Sequence, residues 1–130
     1  MFRKSLCLAA VLCLVAAGSA FAGSNFQQTC SNIAFAYSGG QPTITATCLT
    51  PSGSPNATSL VLQGISNQNG NLVQGSGASS FQQSCGNVQI VVVDANNVNL
   101  TAFCRTSSGG SNATSLALNG ISNNGGKLSQ

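Results

Sequence analysis

Side chains that can do acid–base chemistry are almost absent from this sequence. Its 130 residues include one acidic residue, Asp94, and neither histidine nor glutamate. General acid–base catalysis, a Ser–His–Asp triad and a glycosidase carboxylate pair each need titratable groups that the chain lacks. Metal sites rich in histidine and carboxylate are disfavoured for the same reason. We therefore expect a protein that is not an enzyme and that uses no metal or cofactor.

The spacing of the cysteines indicates disulfide bonds. Cys30 and Cys48 lie 18 residues apart, and Cys85 and Cys104 lie 19 apart. An even number of cysteines in a small secreted domain indicates disulfides, and four cysteines allow three pairings. A bond within each local pair would contribute about 3 kcal/mol in the chain-entropy model. The alternative, a zinc site of four cysteines, lacks the C-x2-C spacing.

The basic residues are too few for a nucleic-acid partner. Arg3 and Lys4 open the chain, and Arg105 and Lys127 stand alone. Nucleic-acid binding needs several basic contacts that neutralise phosphates. We therefore expect no nucleic-acid partner.

Uncharged hydrogen-bonding side chains dominate the rest of the sequence. Residues 23–130 contain 14 Asn, 10 Gln, 17 Ser and 9 Thr, with a side-chain net charge of +1. A carboxamide offers donors and an acceptor on one planar group, which suits sugar hydroxyls, and Arg105 could add a fork of donors. Each neutral hydrogen bond contributes only about 0.5–1.5 kcal/mol, so strong binding would need several contacts or several sites.

The first 22 residues have the pattern of a secretion signal. Arg3 and Lys4 precede the apolar run Leu6–Ala17, and Ala20-Phe21-Ala22 fits the small-x-small cleavage pattern. A run of about 12 residues is too short to cross a bilayer of ~30 Å as a helix. We predict export, cleavage after Ala22 and no membrane span, against the alternatives of a short membrane anchor or a buried helix. Residues 23–130 would form the mature domain.

Two copies of one motif must position the polar residues. Phe-Gln-Gln-Thr-Cys at 26–30 recurs as Phe-Gln-Gln-Ser-Cys at 81–85, and residues 56–65 recur at 112–121. Repeat one spans about 25–74 and repeat two about 81–130, with a flexible Gly/Ser-rich linker at 75–80. Two repeats are too few for a solenoid, so we expect one pseudo-symmetric domain.

The hydrophobic pattern within each repeat is typical of β-strands. Thr43–Cys48 alternates with period two, and no segment keeps a helical period. Asn69-Gly70 and Asn119-Gly120 are turn signals. A later strand in each repeat carries a pair of leucines. Hairpin strands are predicted at 33–37, 43–48, 88–93 and 98–103, around turns at 38–42 and 94–97.

The repeated motif resembles that of the cyanovirin-N homologue family. Each copy reads Phe-x-x-Thr/Ser-Cys, a hairpin, a second Cys, Asn-x-Thr-Ser, Leu and Ile-x-Asn-x-x-Gly-x-Leu, over residues 25–130. The resemblance implies one elongated all-β domain of two pseudo-symmetric repeats. Each would have a three-stranded sheet and a hairpin, with strands exchanged between the repeats. It also implies disulfides Cys30–Cys48 and Cys85–Cys104 and metal-independent binding of mannose-rich oligosaccharides at each end.

Transfer of the family's binding residues, position by position, gives two candidate sites. The primary site, which we call site 1, comprises Asn67, Asn69, Ser79, Ser80, Gln83, Arg105, Thr106 and Ser107. The family usually has acids here, which Ser66, Asn69 and Gln83 replace, so weaker binding or another sugar preference is expected. Site 2 comprises Asn25, Gln28, Thr29, Asn123, Asn124 and Gly125. Site 2 ranks second because Leu49 and Pro51 stand where the family often has polar groups.

These observations favour a secreted carbohydrate-binding lectin for mannose-containing oligosaccharides. The alternative is a secreted structural or surface protein that keeps the fold but has lost or changed glycan binding, which the substituted acids motivate. An enzyme or an enzyme inhibitor is a third, less favoured class. The Gly-rich linker predicts mainly monomer, with a dimer formed by exchange of repeats as the alternative, because short strained hinges favour swapping.

Overall fold

The computed structural model describes residues 23–130, so the predicted leader lies outside the described residues. The regular structure of the described chain is β-strand, as predicted, apart from two single turns of 3-10 helix at Phe26–Gln28 and Phe81–Gln83. No helix in this part of the chain is long and apolar enough to cross a membrane. The strands are β1 (Cys30–Ser38), β2 (Gln41–Leu49), β3 (Pro55–Val61), β4 (Ile65–Gln68), β5 (Asn71–Gln74), β6 (Cys85–Asp94), β7 (Asn97–Arg105), β8 (Ser111–Leu118), β9 (Ser122–Asn124) and β10 (Lys127–Ser129).

Each repeat forms a three-stranded antiparallel sheet. We call β1–β2–β3 the N-terminal sheet and β6–β7–β8 the C-terminal sheet. Period-two patterning decides their faces: along β2, Ile44, Ala46 and Cys48 are buried, whereas Thr45 and Thr47 lie on the other face. The predicted hairpins β1–β2 and β6–β7 are confirmed.

The short strands form two hairpins, each of which covers the sheet of the other repeat. Hairpin β4–β5 of repeat one packs against β8, and hairpin β9–β10 of repeat two packs against β3. The Leu72 amide donates to Thr114 Oγ1 and the Leu128 amide to Thr58 Oγ1, both at 3.2 Å. The strand exchange implied by the resemblance is therefore present.

The buried side chains form one cluster to which both repeats contribute. Phe26 and Phe81, on the two 3-10 turns, are fully buried at equivalent positions. Leu72 and Leu128 bring the hairpins into the same cluster. Since each hairpin completes the core of the other repeat, the two repeats cannot be separated without exposing apolar surface.

Both disulfides implied by the resemblance are present. Cys30–Cys48 joins β1 to β2, and Cys85–Cys104 joins β6 to β7. In each case the two cysteines stand directly opposite one another in the strand register. The antiparallel register thus selects the two local pairings.

Candidate functional site

Site 1 lies where the turn of hairpin β4–β5 meets the chain that leaves β7. Asn67 Nδ2 donates to Ser84 Oγ at 2.9 Å and to the Arg105 carbonyl oxygen at 3.0 Å. Its Oδ1 accepts the Gly70 amide at 2.7 Å. The carboxamide of Asn67 therefore fixes the hairpin turn against the C-terminal sheet.

Asn69, at the tip of the same turn, holds the loop that follows β7. Its Oδ1 accepts both the amide and the hydroxyl of Ser107, at 2.8 and 2.9 Å. The residue has φ 53, a left-handed conformation that asparagine tolerates better than most side chains. Among residues 23–130, no hydrogen bond engages its Nδ2, so this donor remains available.

Three exposed polar side chains surround this junction. Ser80 and Gln83 lie at the 3-10 turn Phe81–Gln83, and Arg105 ends β7. Within the described part of the chain, their side-chain donors and acceptors make no hydrogen bonds to other residues. The junction therefore offers a hydroxyl, a carboxamide and a guanidinium to a ligand.

Thr106 and Ser79 have structural contacts within site 1. The Thr106 hydroxyl accepts the Gly110 amide at 3.1 Å and lies 3.0 Å from Ser108 Oγ, which shapes the loop. The Ser79 hydroxyl is buried; it donates to the Leu62 carbonyl oxygen at 2.6 Å and accepts the Ile65 amide at 3.0 Å. Ser79 therefore fixes the end of the linker and does not present its hydroxyl at the junction.

Two residues that shape site 1 were missed by the sequence reasoning. Ser84 accepts a hydrogen bond from Asn67, and its repeat equivalent Thr29 was already placed in site 2. Gly70 has φ +92, and a Cβ there would lie 2.8 Å from Thr106 Cγ2. The offset between the repeats could have identified Ser84, but the close approach at Gly70 needed the structure.

Site 2 has the same structural asparagine at the other end of the molecule. Asn123 Nδ2 donates to Thr29 Oγ1 and to the Leu49 carbonyl oxygen, both at 2.9 Å. Its Oδ1 accepts the Gly126 amide at 2.8 Å. Asn123 is thus the equivalent of Asn67, and it anchors hairpin β9–β10.

Within the described chain, the second glutamine of each 3-10 turn is engaged at site 2 and free at site 1. Gln28 Nε2 donates to the Ala95 carbonyl oxygen at 2.7 Å, whereas its equivalent Gln83 is free of such a bond within residues 23–130. The backbone amide of Asn25 donates to the Ile121 carbonyl oxygen at 3.1 Å, as that of Ser80 does to the Ile65 carbonyl oxygen at 2.9 Å at site 1. Asn124 pairs with Lys127 across the hairpin.

The contact between Asn69 and Ser107 has no counterpart at site 2. Gly125 stands at the position of Asn69, with φ 65, and Pro51 stands at that of Ser107. Glycine has no side chain and proline has no amide hydrogen, so neither half of the contact can form. The two ends therefore differ in how their turns and loops are held.

Charge contributes little to either site. Arg105 is the charged side chain of site 1, and Asp94 lies at the β6–β7 turn. The Asn96 amide and the Asn97 carboxamide donate to the Asp94 carboxylate and lower its pKa. In the described residues, no group of three or more His, Cys, Asp or Glu side chains could hold a metal ion. The chemistry that these sites can perform is hydrogen bonding.

Comparison with known structures gives relatives of similar size. Microvirin in its mannobiose complex is 29% identical, with 82% of this chain and 97% of that chain covered and a TM-score of 0.60. TbCVNH from T. borchii is 27% identical, with 81% and 97% covered and a TM-score of 0.61. GzCVNH from Gibberella zeae is 25% identical, with 81% and 95% covered and a TM-score of 0.59. No curated protein sequence matches the chain significantly.

The family comparison covers nearly all of the described residues. The model of the CVNH domain matches residues 26–129. This match begins at the first 3-10 turn and ends in β10, so it includes both sheets and both exchanged hairpins. The chain therefore belongs to the CVNH domain family.

Proposed function

We propose that this protein is a secreted lectin that binds mannose-containing oligosaccharides at site 1 through hydrogen bonds. One observation carries the proposal. Asn67 and Asn69 hydrogen-bond the turn of hairpin β4–β5 to the segment that follows β7. Exposed polar groups beside this junction have no hydrogen-bond partners among residues 23–130. A preorganised site loses little conformational freedom when a ligand binds. The likeness to microvirin, which was solved with mannobiose, supports the choice of sugar.

The site-1 residues take different roles in this proposal. Asn67 and Ser79 position the turn and the linker. Gln83 can both donate to and accept from sugar hydroxyls, and the planar guanidinium of Arg105 can donate to two adjacent hydroxyls. The free Nδ2 of Asn69 adds another donor. Because no carboxylate lies here, we expect weak binding of a single sugar and gains from longer ligands.

Site 2 is proposed as the weaker of the two sites. Gln28 is held by the β6–β7 turn, and Leu49 and Pro51 replace polar groups beside Asn123. Export is proposed from the leader pattern, and the two disulfides suit an oxidising compartment.

A second candidate is a structural or surface protein that keeps the fold without mannose binding. The absence of carboxylates from site 1 favours it, since neutral hydrogen bonds are about half as strong as charge-assisted ones. The structural roles of Asn67 and Asn123 would be retained in such a protein. This candidate predicts a stable fold and no response to sugars.

The test is a titration of isotope-labelled protein, residues 23–130, with α1-2-linked mannobiose. We expect amide shifts at Asn69, Gln83 and Arg105, and at Asn67 through its contacts. An added cluster at Gln28 and Asn123 would show that site 2 binds as well. No shift at millimolar mannobiose would overturn the mannose proposal, and a broad glycan array would then separate another sugar from no ligand.

Arg105→Leu provides a matched variant for this titration. Leucine occupies the equivalent position, Leu49, in repeat one, so the strand accepts it. We expect weaker mannobiose binding with an unchanged midpoint of thermal unfolding. Unchanged binding would remove Arg105 from the site.

A further inference from the structure

The outer face of the C-terminal sheet carries a groove beside site 1. Its volume is about 370 Å³, within the usual range of ligand pockets. The groove is open to solvent along the sheet. Its lining residues include Asn87, Gln89, Thr101, Phe103, Ala113 and Ser115.

Phe103 presents an open aromatic ring in this groove. The alternation along β7 buries Ala102 and Cys104 and directs Phe103 outward, where 49% of its surface is exposed. Its neighbours across the two strand pairs are Gly86 and Ala113. Neither is large enough to cover the ring, so an apolar platform remains open to solvent.

A row of neutral polar side chains crosses the sheet next to the ring. Gln89, Thr101 and Ser115 stand in register on β6, β7 and β8 and therefore share the outer face. None of the three side chains makes a hydrogen bond within residues 23–130, and none is charged. A pyranose ring has an apolar C–H face and hydroxyls at its rim, so an exposed ring beside neutral donors and acceptors matches its chemistry.

Arg105 of site 1 lies near the groove along β7. Arg105 follows Phe103 by two residues and faces the same side of the sheet. Two residues advance the strand by roughly 7 Å, a distance comparable with one sugar unit. If a disaccharide fills site 1 with its last unit at Arg105, the third unit of a longer saccharide would lie over Phe103.

The N-terminal sheet has a similar groove without these two residues. That groove, about 490 Å³, is lined by the equivalent positions, including Asn32, Thr45 and Ser59. Thr47 stands in place of Phe103, and Leu49 in place of Arg105. The repeat thus supplies an internal comparison. The backbone and the Asn, Thr and Ser positions of the lining are shared, whereas Ala34 replaces Gln89 and the aromatic platform is missing.

We propose that the C-terminal groove is a further saccharide subsite that continues site 1, with Phe103 as its stacking platform. The C-terminal half then prefers oligosaccharides of three or more units to disaccharides. This inference rests on the proposed function of site 1 and adds to it a preference for longer saccharides.

The experiment compares α1-2-linked mannobiose with a linear mannotetraose by calorimetry and amide shifts. We expect the tetraose, but not the biose, to shift Gln89, Thr101 and Ser115. Phe103→Thr, which copies Thr47, should weaken tetraose binding about tenfold, a factor equivalent to ~1.4 kcal/mol, and leave biose binding unchanged. Thr47→Ala on the other sheet is the matched control and should change neither affinity.

The outcomes separate this inference from the proposed function. If the parent protein binds both sugars with equal affinity, the subsite is overturned while site 1 stands. The same holds if Phe103→Thr weakens the binding of both sugars equally. Tetraose shifts confined to site 1 would do the same. If neither sugar binds the parent protein, the mannose proposal and the subsite fail together. Phe103 is half exposed, so the variant should keep the parent's unfolding midpoint, which a thermal scan checks.

Discussion

Two asparagines of hairpin β4–β5, Asn67 in β4 and Asn69 in the turn, differ in the hydrogen-bonding groups that they leave free for a ligand. The carboxamide of Asn67 makes three hydrogen bonds to the protein itself, and its equivalent Asn123 makes the same set. Asn69 uses its oxygen for Ser107 and keeps its Nδ2. Residue type therefore shows that a side chain can form hydrogen bonds. Its partners in the folded protein decide whether those groups hold the structure together or stay free for a ligand.

Asn69→Gly tests this division at the level of one side chain. Glycine occupies the equivalent position 125 and accepts φ 53 without strain. The variant loses the two bonds to Ser107, and because they are exposed we expect the free energy of unfolding to fall by at most about 1 kcal/mol. Urea denaturation measures this change, and titration with mannobiose should show a larger loss of binding.

The control for this variant lies in repeat two. Gly125→Asn should not strengthen site 2, since Pro51 has no amide hydrogen to donate. If Asn69→Gly binds mannobiose as well as the parent protein does, the turn-to-loop contact has no part in the site.

Asp94 gives the protein a simple dependence of stability on pH. Hydrogen bonds from the Asn96 amide and the Asn97 carboxamide lower its pKa in the folded state. The unfolded chain then binds the proton more readily, so this stability is present above the ordinary carboxyl range, about pH 4, and is lost as the pH falls through the folded pKa. With no histidine in the sequence, we expect a flat profile from about pH 5 to 8.

Urea midpoints measured from acidic to neutral pH check this expectation. In Asp94→Asn the acid-dependent loss at this site should disappear, so the variant and the parent should converge at low pH. A parent profile that falls between neutral pH and about pH 5 would contradict the assignment to a carboxyl group.

At the scale of elements, two glycines at equivalent positions of the repeats differ in their surroundings, a difference that the sequence does not reveal. Gly64 and Gly120 are repeat equivalents with φ +75 and +78. A Cβ at Gly64 would lie 2.1 Å from the Gly75 carbonyl oxygen, where the chain enters and leaves hairpin β4–β5. A Cβ at Gly120 would meet nothing within 4 Å.

The pair Gly64→Ala and Gly120→Ala separates backbone strain from steric conflict. Both variants bear the cost of a left-handed alanine, about 1–2 kcal/mol. Gly64→Ala must also move the backbone of Gly75, and we expect a further loss of about 1–3 kcal/mol. Thermal and urea unfolding give the comparison, and equal losses would show that the close contact relaxes freely.

At the scale of the whole molecule, the two packed halves do not coincide with the two sequence repeats. Repeat one supplies the N-terminal sheet, but its hairpin β4–β5 packs on the C-terminal sheet. Site 1 therefore combines residues of both repeats. The proposed carbohydrate binding would therefore be linked to folding, because hairpin β4–β5 both completes a core and forms the turn of site 1.

Isolated repeats test that interdependence. A fragment of residues 23–76 keeps one sheet and a hairpin whose partner sheet is missing, so Leu72 would lose its burial. We expect no cooperative unfolding and little amide dispersion from the monomeric fragment. Addition of a fragment of residues 77–130 should restore both. A folded monomer of either fragment alone would show that the exchanged hairpins are dispensable.

The intact chain should be mainly monomeric. Both hairpins find their partner sheets within one chain, and the Ser79 hydroxyl fixes the end of the linker. Exchange between two chains would therefore replace contacts that already exist and add the entropy cost of association. Light scattering at micromolar protein measures the state, and a dominant dimer would refute the prediction.

The sequence by itself determined the strands, the repeat and the class of fold. Period-two alternation and turn dipeptides act over a few residues, and the repeated motif is visible by comparing the two halves, so a single sequence reveals them. The cysteines alone left three pairings open, and the resemblance to a known family was needed to choose one.

Only the tertiary structure decided which polar groups of the candidate site are left free to contact a ligand. Asn67 bonds to Arg105 across 38 residues, Ser79 is buried by the start of β4, and Phe103 stands open beside Arg105 because Gly86 and Ala113 are small. Local sequence sets the faces of a strand, whereas the partner of each donor depends on how distant segments pack. The β class, the repeat and the main hairpins could therefore be predicted from the sequence, but the roles of the site residues could not.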